Sequence, residues 1–233
     1  MSQRRTLFER IAATSPTLTA LAEVWTASAV SALLYCFWKG CDDLLNGHLK
    51  SVGGASPNDK NLERSLNALL DPLIQDSMPQ ESFFYFQHEP PETETMHSDG
   101  AKPPTPDFGF RMRANPQRMW PIEAKVLRTD GDLAEYLKEV RSNFLTCRYG
   151  PFSTGGAILG YLLKGKPSKV FDNVEKKLKC ALSSHPDFLA RDHKTSDHQR
   201  TVPKGKPYPR DFRCHHLILR VGKGHVGDHR EDL

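Results

Sequence analysis

The chain has 233 residues, 38% of them hydrophobic and 26% charged, with 17 prolines and 16 glycines. That balance allows one large domain with a real core and excludes collagen, a coiled coil and wholesale disorder. The 32 Lys and Arg against 28 Asp and Glu leave a net charge of +4, a surplus that marks a phosphate-binding surface only where the basic groups cluster.

The opening run MSQRRTLFER puts Glu9 and Arg10 where a signal peptide needs apolar residues. Five cysteines form an odd set with no CxxC pair, which reads as reduced thiols in a cytoplasmic protein. Ser15-Pro16 reads as an N-cap and first helical proline, opening a helical segment towards Leu49 with Trp25, Leu33, Leu34 and Phe37 in a core. Its apolar stretch, Val24 to Trp38, is shorter than the roughly 20 residues that span a bilayer, so no membrane is expected. After the loop SVGGASPND, leucines at 62, 66, 69, 70 and 73 predict a helix over Asn61 to Ile74.

Phe83 to Phe86 predicts a short strand, and the acidic, proline-rich His88 to Thr105 a mobile loop. Asp107 to Arg113 and Arg118 to Leu127 predict a hairpin turning at Asn115-Pro116. Leu133, Leu137, Val140 and Phe144 mark an amphipathic helix behind the capping residues Asp130, Gly131 and Asp132. Ala157 to Leu163 predicts a buried strand, Val170 to Ala181 a helix opened by Pro167-Ser168, and Leu217 to Val221 a last strand. The polar stretch from His185 to Arg213 predicts loop. The whole reads as a single α/β domain over residues 1–233, with no internal repeat.

Chemistry concentrates in Pro106-Asp107 and Glu123-Ala124-Lys125. Glu123 and Lys125 lie two apart on a strand and project from one face, while Ala124 points into packing. A hairpin brings Asp107 beside Glu123. Two carboxylates that close repel unless a cation lies between them, and hard oxygen ligands with open positions suit Mg²⁺. Lys125 would then complete a site for attack on a phosphodiester, orienting or deprotonating water and stabilising developing charge.

Pro106, Asp107, Glu123 and Lys125 in this setting resemble the PD-(D/E)xK nuclease superfamily. The order helix, three-stranded meander, helix, strand over residues 61–163 is similar to its restriction-endonuclease-like fold. The resemblance implies a mixed central sheet flanked by helices, with residues 1–60 as an N-terminal helical elaboration and 164–233 as a C-terminal extension. It implies hydrolysis of DNA with Asp107, Glu123 and the Ala124 carbonyl as ligands to Mg²⁺, for which Mn²⁺ substitutes, and Lys125 as the catalytic lysine. Glu63 matches the acidic residue that many members carry on the first core helix. Roles in restriction, repair or phage defence accompany the family.

Arg111, Arg113, Arg128, Arg148 and Lys164 are the candidate phosphate contacts. A positive cleft around Asp107 and Glu123 is expected, with the acidic loop between Glu81 and Asp99 held outside it. The terminal segments are expected to mediate homodimerisation or docking to a partner protein. Cys214, His215, His216, His193 and His198 offer zinc-type ligands, but at spacings of no familiar zinc module. A noncatalytic nucleic-acid-binding or interaction subunit and an RNA-directed nuclease stand as alternatives.

Overall fold

The computed structural model describes residues 25–49, 59–96 and 101–222. The expected Ser15-Pro16 helix start and the charged tail after residue 222 lie outside them. The first described helix, α1 (Ala27–Asp43), is capped by Thr26, whose hydroxyl accepts the Ala29 N–H at 3.2 Å. It runs on into a wider turn over Leu44–His48. Helix α2 (Asp59–Ser77) buries Leu62, Leu66, Leu70 and Ile74, the stripe that helical spacing predicts.

The strands are β1 (Phe84–His88), β2 (Phe108–Met112), β3 (Asn115–Leu127), β4 (Gly155–Leu162), β5 (Ser183–Ser184), β6 (His193–Gln199) and β7 (Asp211–Arg220). They form one mixed seven-stranded sheet in the order β1-β2-β3-β4-β7-β6-β5. Strands β1 to β3 are an antiparallel meander, β4 lies parallel to β3, and β7 parallel to β4. Helix α3 (Ala134–Glu139), continuing as a wide turn over Val140–Phe144, makes the crossover from β3 to β4, and α4 (Pro167–Leu178) follows β4. The C-terminal third therefore completes the sheet and is no appendage.

Side chains alternate across the sheet, so each face has its own core. Phe86, Phe108, Phe110, Trp120, Ile122 and Ala124 pack with α1 and α2. Leu127, Ile158, Leu162 and Ile218 pack with α3 and α4 on the other face. Among the described residues no helix is long and apolar enough to cross a membrane.

Three expectations need correction. Asn115-Pro116 does not turn the hairpin: residues 113 and 114 do, and Asn115 already pairs with Met112. Asp130 and Asp132 do not cap α3, which has no side-chain cap. Asp130 instead accepts the Lys166 N–H at 3.2 Å, at the start of α4. The stretch from His185 to Arg213 is not all loop, since HKTSDHQ forms β6 against β7. Its polarity hides the strand because its inward residues are hydrogen-bonded, not apolar. The His193 and His215 rings meet at 3.1 Å, and Ser196 Oγ lies 2.8 Å from His216 and 2.6 Å from His198. His215 and His216 point to opposite faces, and among the described residues no three such groups are placed to hold one metal ion.

Burial drives His193 and His216 down to about 3, with His185 and His198 respectively adding to the effect. Such groups bind fewer protons folded than unfolded. The stability they allow is present above the ordinary histidine pKa of about 6.5 and is lost as pH falls below it, at about 1.4 kcal/mol per pH unit for each proton taken up on unfolding. Urea unfolding between pH 7 and 5 is expected to show a steeper dependence in the wild type than in His193→Gln. Equal slopes would remove His193 from the acid-labile set.

Candidate active site

The site grows from unequal strand lengths. Strand β2 begins at Phe108 opposite Ile122, whereas β3 continues to Leu127 with β4 alongside it on the far edge only. On the β2 side the N–H groups of Ala124 and Val126 have no strand partner, and buried backbone donors need acceptors. Asp107 Oδ2 takes the Ala124 N–H at 2.8 Å, and the Glu63 carboxylate, from the first turns of α2, reaches the same edge, where it bonds the Lys125 ammonium at 3.3 Å. The Asp107 N–H in turn reaches Glu123 Oε2 at 3.4 Å.

Lys125 folds its ammonium back into this group. Its Nζ lies 2.6 Å from the Ala124 carbonyl, 2.7 Å from Glu123 Oε1, 3.3 Å from Glu63 Oε1 and 3.7 Å from Asp107 Oδ2. All four side chains are at most a fifth exposed. Burial opposes the lysine's charge, but Glu123, Asp107 and Glu63 outweigh it and hold the ammonium well above its ordinary pKa. Burial and then the Asp107 charge push Glu123 far up, with Lys125 opposing. Burial raises Glu63 too. The cluster thus holds three carboxylates around one cation, with protons favoured on Glu123 and Glu63 beyond what solvent would allow.

Four oxygens from Glu63, Asp107, Glu123 and the Ala124 carbonyl surround one positive nitrogen. Hard oxygens of this kind are the donor set that Mg²⁺ or Mn²⁺ takes. Among the described residues no three carboxylate, imidazole or thiolate groups form a ready-made cage. The oxygens converge on the Lys125 ammonium instead, so a divalent ion fits this donor set only if Lys125 swings aside.

One neighbour escaped the sequence reading. Glu139, at the end of α3, adds negative potential at Glu123 and at Tyr149, and it accepts from the Asn143 amide. An acidic residue with an amide four positions on, on a helix crossing directly from β3, was the available signal. Tyr149 is buried and its hydroxyl reaches the Thr105 carbonyl at 3.4 Å. It is a core side chain, as is Tyr161, whose hydroxyl donates to Asn67 Oδ1 at 2.8 Å.

The proposed phosphate contacts scatter. Arg111 and Arg113 sit four and six residues along β2 from Asp107, about 13 to 20 Å away at strand rise. Arg111 donates to the Pro116 and Pro91 carbonyls, and Arg113 to that of Ser82. Arg128 flanks the site but pairs with Asp59 at 2.6 Å. Lys164 is exposed beyond the end of β4, next to Leu163, whose N–H bonds Leu127. The Arg148 carbonyl accepts from Thr95. Within the acidic loop Glu92 is 4% exposed, and burial lifts it to about 7. No family model, curated protein or solved structure matches the chain.

Removing the central cation isolates the electrostatics. Lys125→Met leaves three carboxylates facing one another and is expected to cost about 3–5 kcal/mol at pH 7.5. The folded pKa values of Glu63 and Glu123, already raised, then rise further, so the deficit relative to wild type narrows as pH falls towards 5, read by urea unfolding. A deficit that stays constant with pH would show that Lys125 acts through packing alone.

Proposed function

We propose that the chain is a divalent-metal-dependent nuclease of the restriction-endonuclease-like class, hydrolysing DNA phosphodiester bonds. One observation carries this reading: Glu63, Asp107, Glu123 and the Ala124 carbonyl converge with Lys125 at the open edge of β3. The element order supports it, since helix, three-stranded meander, crossover helix and parallel strand follow one another as that fold requires.

Asp107, Glu123 and the Ala124 carbonyl would hold the ion, with Glu63 beside them. When bound, Mg²⁺ supplies positive charge at the scissile phosphate and makes water more acidic. The chain's own groups do the rest. Lys125, released from its carboxylates, is placed to hydrogen-bond the attacking water or a phosphate oxygen and to neutralise charge as it develops. Asp107 is fixed by the Ala124 N–H, so one carboxylate oxygen keeps its direction. Rigid positioning of this kind lowers the cost of reaching the reactive geometry.

A second reading has its own support. Lys125 balances the cluster without a metal, and Arg128 beside it is paired with Asp59, as suits a subunit that binds nucleic acid and does not cut it.

Supercoiled plasmid and a matched RNA, incubated with Mg²⁺, Mn²⁺ or EDTA, decide between the readings. The wild type is expected to nick DNA with either metal and not in EDTA, and Asp107→Ala and Lys125→Ala to lower the rate by about 10²-fold or more. Equal cleavage by all three proteins would overturn the assignment. Salt-dependent binding without cleavage would favour the noncatalytic reading, and preferential loss of RNA would change the substrate.

A further inference from the structure

On the sheet face opposite Glu123 and Lys125, a cleft of about 490 Å³ opens between the start of α1 and the ends of β4, β6 and β7. That is the size of a small-molecule site. The indole N–H groups of Trp120 and Trp25, both lining it, are buried and make no hydrogen bond. Buried donors without acceptors are uncommon and costly. At Gly155 a Cβ would lie 3.3 Å from Trp120 Nε1 and 3.0 Å from the Arg213 carbonyl. A side chain at position 155 would crowd that N–H.

A third donor follows from proton bookkeeping. The Trp38 indole N–H donates to His193 Nδ1 at 3.5 Å, so a neutral His193 carries its proton on Nε2. That proton goes to His215 Nδ1 at 3.1 Å. His215, kept neutral by burial, then carries its own proton on Nε2. The interior thus offers uncharged ring donors.

The rim offers acceptors. Asp197 holds Arg213 by two bonds of 2.8 and 3.1 Å, which neutralises the guanidinium, and Asp211 takes only the Gln199 amide. A phosphate finds a carboxylate at the mouth and a paired arginine. A flat heterocycle with carbonyl or ring-nitrogen acceptors at one edge and an amino group at the other meets donors inside and carboxylate outside.

We propose that this cleft binds an amino-bearing nucleobase, as a free nucleoside or as a base displaced from a strand. The proposal is independent of the nuclease reading and is tested in EDTA, where metal-dependent cleavage plays no part. Calorimetric titration of the full chain is expected to show binding of adenosine and cytidine in the micromolar range, about tenfold weaker binding of uridine, and no gain from the phosphate of AMP. Trp25→Phe and Trp120→Phe each delete one donor and are expected to weaken adenosine about tenfold. The first keeps the test open if the second destabilises the core. Binding of an adenine trinucleotide with the same sensitivity to these substitutions would mark a base held in a strand, and binding of adenosine alone a free nucleoside. No binding of any nucleoside at millimolar concentration, tighter binding of AMP than of adenosine, or unchanged affinity in both folded variants would overturn the proposal.

Discussion

The open edge of β3 is the constraint on which the candidate site rests. Strand β2 stops short because Pro106 has no N–H to offer a ladder, and Asp107 is the first residue after it. The remaining length of β3 exposes backbone donors that must be met, and the Asp107 carboxylate meets that of Ala124. Proline and aspartate are thus one device, in which the first ends the pairing and the second caps the strand left bare. Charge at that edge also guards it against pairing with another chain, the usual liability of a free strand.

Once carboxylates cap a sheet edge, their mutual repulsion has to be balanced. Lys125 does so from the same strand, two residues from Glu123, where the pleat sends both side chains to one face. Ala124 between them turns inward into the apolar core and is fully buried, while its carbonyl stays at the edge and accepts from Lys125. The composition of the Glu-Ala-Lys triplet therefore follows from geometry. Two residues face the site and one faces the core.

How much of this was legible varies with the signal. The α2 stripe, the hairpin strands, the crossover helix and β4 follow from apolar period, and the structure has them within a few residues. Glu123 and Lys125 were readable as a same-face pair, and Asp107 as their neighbour across the hairpin. Strand β6 was not, because its buried residues are His193 and Ser196, whose partners on β7 and α1 are remote in sequence. Glu139 was hidden for the same reason, since only the packing of α3 across β3 brings it to Glu123. The +4 surplus was the least informative feature. Arg111, Arg113 and Arg128 are engaged with carbonyls or Asp59, and Glu92 sits inside the protein, so the net charge does not resolve into one positive cleft.

Under the proposed nuclease function, the Lys125 ammonium occupies the place of a divalent cation. Crystals of the full chain soaked in Mn²⁺, with anomalous scattering used to locate the ion, test it most directly. The account predicts a peak within about 2.2 Å of Asp107, Glu123 and the Ala124 carbonyl, with the Lys125 side chain turned away from its present position. A structure with Lys125 still seated among the three carboxylates, and manganese absent from them at saturating concentration, would contradict it.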